Sequence, residues 1–194
     1  MRVSDQQLGT RISLITLQTA MVTLKEKNKF IATLLAFAVI PMSGLATDIY
    51  LPSMPSMATE LHQPESSIQL TLSIFLISYG LTQFFAGSIV DSFGRYKISM
   101  ISLILFVVSF LITATTQNIF VIYAMRVLQG MLSGFAVVSK RAFFVDVYDG
   151  EERKHYLSIM TIVWSVGPII APFIGGYLQK NFGWQSNFYV LAGY

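Results

Sequence analysis

Residues 66–90 read SSIQLTLSIFLISYGLTQFFAGSIV, 25 consecutive positions without a charge, and residues 91–97 close them with DSFGRYK. A helix rises 1.5 Å per residue and the hydrocarbon core of a bilayer is about 30 Å thick, so this stretch is long enough to cross it. The charges arrive together, at its end, where a chain re-enters water.

The same pattern recurs on both sides. Phe30 to Thr47 is uncharged, and the apolar run continues past Asp48 to about Pro52. Ile98 to Ser139 holds a single charge, Arg126, and is too long for one span; it divides at the polar turn Thr115-Thr116-Gln117-Asn118. Tyr156 to Gln179 is uncharged again. A last apolar run starts near Trp184 and reaches Tyr194, roughly 16 Å of helix. The expectation is an all-α membrane protein with spans at about 30–52, 67–90, 98–115, 119–139 and 156–178, and a partial span at 184–194.

Composition agrees. The 194 residues are 54% hydrophobic and 12% charged, against about 25% charged in a soluble domain. Disorder is excluded, because it needs low hydrophobicity and high charge. The absence of cysteine excludes a disulfide framework, a thiolate metal site and a cysteine nucleophile. His62 and His155 lie in or near loops without paired ligands, so no metal site is expected. No phosphate-cradling GxxxxGK[ST] occurs, and no catalytic constellation is visible, so neither an ATP motor nor an enzyme is expected.

The net charge of +3 is a matter of topology. Residues 1–29 form a basic tail with Arg2, Arg11, Lys25, Lys27 and Lys29. The stretch 12–24 is too short to span, and the reading is a cytoplasmic tail with a surface-lying helix, or a start at Met21. The loop at 53–66 holds no base, the loop at 91–97 holds Arg95 and Lys97, and the 115–118 turn holds none. Lys140, Arg141, Arg153 and Lys154 follow the fourth span, and only Lys180 follows the fifth. Alternate loops thus carry eleven bases against one, which places the N-terminus in the cytoplasm. A nucleic-acid surface would need its bases on one soluble face, so no nucleic-acid partner is expected.

Two ionisable side chains lie well inside spans, Asp48 and Arg126. Such groups are expensive in lipid and must face protein or a water-filled cavity. They could lock the first span to the fourth as a pair, or serve as a proton or substrate site. Tyr79 and Gln83, four apart, share a face of the second span, as polar glue or as pocket lining. Gly130 and Gly134 have GxxxG spacing, a packing signal more than a functional one. Gly94 suits a positive-φ turn at the helix end, and Asp91 can pair with a base beside it. In the fifth span, Pro168 and Pro172 remove backbone donors while Gly167, Gly175 and Gly176 permit close helix approach.

These motifs resemble the N-terminal half of a major facilitator superfamily transporter. Gly87-x-x-x-Asp91-x-x-Gly94-Arg95-x-Lys97 resembles that superfamily's loop signature between helices two and three. Ile122-x-x-x-Arg126-x-x-Gln129-Gly130 resembles the fourth-helix signature of proton-coupled members, and Gly167-Pro168 through Gly175-Gly176 the fifth-helix signature of exporters. Thr47-Asp48-Ile49-Tyr50-Leu51-Pro52-Ser53-Met54-Pro55 resembles the end of helix one in twelve-helix drug:proton antiporters. With Ser73-Ile74-Phe75 and Arg141-Ala142-x-x-x-Asp146, the likeness narrows to the bicyclomycin-resistance and chloramphenicol-efflux branch. Ser92, Val145 and Ala171 depart from the pattern, where a base, an arginine and a glycine are common.

The resemblance implies a six-helix bundle, cut within helix six, in the inner (cytoplasmic) membrane. It implies proton-driven efflux of small hydrophobic or cationic drugs, with no cofactor beyond the proton gradient, and with the C-terminal six-helix half as the missing partner. Asp48, Arg126, Tyr79, Gln83 and Gln129 become candidates for proton or substrate contact. Gly87, Asp91, Gly94, Arg95 and Lys97 become a conformational-switch loop, and Arg141 and Asp146 mark the end of helix four. A fragment of this kind is expected to be inactive alone. A non-transporting remnant of a truncated gene, or a solute-uptake transporter of the same fold, are the alternatives.

Overall fold

The computed structural model describes residues 29–194; the expectations for the tail at 1–28 fall outside them. Among the described residues every regular element is helical. The chain divides after Ala38: the described part of the first unit is helical, and the second unit, Val39–Tyr194, holds all that follows. The helices are α1 (29–39), α2 (Met42–Asp48), a 3₁₀ turn at Leu51–Ser53, α3 (Met54–Glu60), α4 (Glu65–Phe93), α5 (Arg95–Thr115), α6 (Ile119–Val147), α7 (Gly150–Phe182) and α8 (Gln185–Gly193).

Among the described residues five helical stretches are long and apolar enough to cross a membrane: Lys29–Glu60, Glu65–Phe93, Arg95–Thr115, Ile119–Val147 and Gly150–Phe182. They coincide with the five expected spans but overrun them. The fourth extends to Val147 rather than Ser139, and the fifth begins at Gly150 rather than Tyr156. The first does not end at Pro52; helix resumes as α3 inside what reads as the 53–66 loop. Charge marks where a chain meets water, but i→i+4 hydrogen bonding continues past that boundary until a turn residue stops it.

Those stops are the expected ones. Gly94 has φ +91° between α4 and α5, a backbone open to glycine at little strain. Between α5 and α6 the Asn118 side chain accepts the Phe120 N–H at 2.9 Å, an N-cap. The first span is discontinuous. Turns at Ile40–Pro41 and Ile49–Tyr50 separate α1, α2 and the 3₁₀ turn, and Pro41 and Pro52 have no N–H to continue the ladder.

The core is built around α6. Ile122, Arg126, Gln129, Ser133, Ala136 and Lys140 recur at intervals of three and four and are all buried, one continuous helix face. On a neighbouring face Gly130 and Gly134 lie against α4. A Cβ at Gly130 would overlap the Phe75 carbonyl, and one at Gly134 would come within 2.9 Å of Thr82 Cβ. The GxxxG pair is therefore a packing seam, and α4–α6 is the most extensive interface. Small residues allow such approach where lipid gives helices no hydrophobic drive to associate.

Candidate functional site

Arg126 is the centre of the buried polar interior. Its side chain is fully buried. Its Nη1 donates to the Ala46 carbonyl at 3.3 Å and to Gln129 Oε1 at 3.1 Å. Gln129 Nε2 in turn donates to Thr113 Oγ1 at 3.1 Å, and Thr113 donates to the Ser109 carbonyl at 2.8 Å. The guanidinium carbon stands 3.9 Å from the centre of the Tyr50 ring and 5.2 Å from that of Phe188. A desolvated cation over an aromatic face gains about 2 kcal/mol. Tyr50 is held by its hydroxyl, 3.3 Å from Thr71 Oγ1, so helices α4, α5, α6 and α8 all contribute to the cage.

The broken first span supplies the acceptor. Ala46 lies four residues before Tyr50, where the helix has already ended, so its carbonyl is open to a side chain. Arg126 fills that place. The structural pairing of Asp48 with Arg126 considered from sequence does not form: among the described residues no carboxylate lies within ion-pair distance of Arg126. Its Nε and Nη2 groups are buried without a hydrogen-bond acceptor. Asp48 is half-buried at the last residue of α2.

The other candidates divide into three groups. Gln129 belongs to the Arg126 chain. Tyr79 is half-buried, stacked against Phe75 with ring centres 6.3 Å apart, while Gln83 is exposed one turn on. In the 91–97 turn, Arg95 donates through Nε and Nη2 to Asp91 Oδ1 at 3.1 and 2.9 Å, and its Nη1 pairs with Asp146. One arginine thus ties the ends of α4, α5 and α6 together. Exposed pairs are worth about 0.2–1 kcal/mol each, so this clip is weak enough to open. Gly87, Lys97 and Arg141 are not drawn into it: a Cβ at Gly87 meets nothing within 4 Å, and Lys97 and Arg141 are exposed.

In α7 the glycines and prolines lie along α2. A Cβ at Gly44 would stand 3.4 Å from the Pro168 ring, one at Gly167 3.6 Å from the Pro41 carbonyl, and one at Gly176 3.8 Å from the Pro52 side chain. At Gly175 a Cβ would overlap the Ile49 carbonyl. The motif is the surface on which the discontinuous first span rests. Pro172 is half-buried. At the far end, Trp184 Nε1 donates to Glu60 at 2.9 Å, Asn187 Nδ2 to Ser53 Oγ at 2.7 Å, and Gln179 Nε2 to Ser56 Oγ at 2.9 Å, fastening α3 to α7 and α8.

Sequence reasoning missed Tyr50, Thr113 and Lys140. Lys140 reads as a loop base beside Arg141, yet it is only 7% exposed and donates to the Val39 carbonyl at 2.8 Å. Its spacing of fourteen from Arg126, four helical turns, was the available signal.

A family model described as Major Facilitator Superfamily matches residues 35–194. The chain is 28% identical over 163 residues to Multidrug resistance protein D of Escherichia coli (strain K12), covering 84% of this chain and 41% of that protein. It is 32% identical over 163 residues to a Bicyclomycin resistance protein homolog of Haemophilus influenzae, covering 84% and 40%. It is 31% identical over 160 residues to Multidrug resistance protein MdtL of Vibrio parahaemolyticus, covering 82% and 40%. The chain therefore spans about 40% of the length of the relatives it matches.

Proposed function

The chain belongs to the Major Facilitator Superfamily, and from that premise we propose that it forms part of a proton-driven exporter of small hydrophobic or cationic drugs in a cytoplasmic membrane. One observation carries the reading. Asp48, an acid within the first span, ends α2 at the second helix break, two residues from both Ala46 and Tyr50, which hold Arg126. It is in no ion pair among the described residues. An acid so placed, out of ion-pair reach of Arg126, can take a proton while that cation stays held by neutral partners. The names of the relatives, multidrug and bicyclomycin resistance proteins, support drugs as cargo.

Asp48→Asn tests it. In a transport-competent protein containing this chain, the variant is expected to keep its expression and lose proton-coupled efflux. Unchanged pH dependence of drug movement in the Asn variant would make Asp48 structural.

The same reading puts the N-terminus and the 91–97 turn in the cytoplasm, on the distribution of bases. The lack of native cysteine makes the check direct. Ser92→Cys is expected to resist an impermeant thiol reagent in intact cells and to label after permeabilisation. Labelling before permeabilisation inverts the topology.

Alternating access requires two bundles moving about a midplane site, so the 194 residues expressed alone are expected not to transport. Proton-dependent drug efflux by the purified chain in liposomes would contradict this, and would point to two copies acting as two halves.

A further inference from the structure

The two breaks of the first span are each met by a cation from α6. Lys140 Nζ donates to the carbonyl of Val39, the last residue of α1, at 2.8 Å, and Arg126 Nη1 donates to the carbonyl of Ala46, near the end of α2, at 3.3 Å. A helix end leaves its last carbonyls open, and a base near them meets the negative end of the helix dipole. Lys140 and Arg126 are fourteen residues apart on one buried face of α6, about 21 Å along its axis. Between the two held carbonyls lies α2, and Asp48 is its last residue.

Lys140 has none of the aromatic cage that surrounds Arg126. It is 7% exposed, and it is in no ion pair among the described residues. Apolar residues dominate beside it, Met42, Leu103, Phe106 and Leu132 among them, with no carboxylate. A buried ammonium is a costly fastener where a neutral donor could reach the same carbonyl. What α2 otherwise rests on is α7, across glycines. Such a seam is made of van der Waals contacts, which hold two helices together but fix their register along it only weakly. Hydrogen bonds at both ends of α2 supply that register.

We propose that Lys140 is a positioning residue: by holding Val39 it sets the register of α2 and thereby the place of Asp48, which it does not touch. The inference rests on the reading of Asp48 as the proton site. A seven-residue helix released at its start pivots about the end still held at Ala46, and Asp48, two residues beyond that pivot, moves with it. Of the charged groups on elements packed against α2, Arg126 and Lys140 lie on the buried face of α6. Arg141 and Asp146 are exposed at its end, the charges of α7 lie at its two ends, and α8 carries none.

The test uses a transport-competent protein containing this chain, with two readouts. The first needs no transport: Leu45→Cys, half-buried in α2 and installed as the sole cysteine, is labelled with N-ethylmaleimide. Lys140→Met is expected to raise the labelling rate about tenfold, the population change that goes with one hydrogen bond to a charged group. Lys140→Arg, which keeps a cationic donor, should restore the native rate. The second is drug efflux against pH without the cysteine. Its midpoint should move by about one pH unit in Lys140→Met and return in Lys140→Arg. Unchanged labelling in Lys140→Met would overturn the proposal. So would faster labelling with an unmoved midpoint, which would make Lys140 a fastener with no bearing on Asp48. Should Lys140→Met fail to fold, Lys140→Gln is judged by the same two readouts. Should Asp48→Asn show that the proton site lies elsewhere, the labelling rates still decide whether Lys140 sets α2.

Discussion

Gly175→Ala is expected to prevent the folded bundle from assembling. The methyl group would overlap the backbone carbonyl of Ile49, and no rotamer change can move a backbone atom aside. Overpacking of a close contact costs about 1–3 kcal/mol even where side chains can yield, and here the first span itself must shift from α7. That shift would also displace Asp48 and Tyr50, the immediate neighbours of Ile49. Gly80→Ala is the control: a Cβ there meets nothing within 4 Å, and alanine favours the helix by about 1 kcal/mol. Thermal unfolding followed by size-exclusion fluorescence should show loss of the monodisperse peak for Gly175→Ala and none for Gly80→Ala. Similar behaviour of the two variants would mean that the α2–α7 seam is loose.

That contrast separates what the sequence discloses from what it hides. Span number, the polar turn before Ile119 and the glycine turn at Gly94 follow from charge spacing and backbone chemistry, and all are where composition puts them. Gly130 and Gly134 were legible as packing because their spacing alone puts both on one helix face. The route of the first span was not. Prolines at 41 and 52 announce broken hydrogen bonds, but which side chain fills the open carbonyl depends on a helix 80 residues away in Arg126. Lys140 was hidden for a related reason. Charge at a span's end normally means water, and only the neighbours supplied by α2 and α5 turn that position inward. Gly175 and Gly80 are both helical glycines, and the sequence does not say which one touches backbone.

In a transport-competent protein containing this chain, Arg126→Met is expected to abolish transport, by about a hundredfold or more in initial rate, while leaving thermal stability nearly unchanged. The sign of the stability change follows from the bonds. Methionine forfeits the contacts to Ala46 and Gln129 and the stacking on Tyr50, each worth about 1–2 kcal/mol. It also removes a buried cation with two unsatisfied nitrogens, Nε and Nη2, and no facing carboxylate among the described residues, an arrangement whose desolvation amounts to several kcal/mol. The two sums nearly cancel, so a purely structural role cannot explain why an apolar residue is not used there. On the export reading, a cation kept inside a span at that expense serves transport. Arg126→Lys sharpens the test. A lysine keeps the charge but not the planar fork that reaches Ala46 and Gln129 together while stacking on Tyr50. It should fold, and should transport far less than the native protein. Transport assayed beside melting temperature distinguishes the cases. A methionine variant that is strongly destabilised would make Arg126 a fastener of the first span, and one that is stable yet still exports drug would remove it from the mechanism.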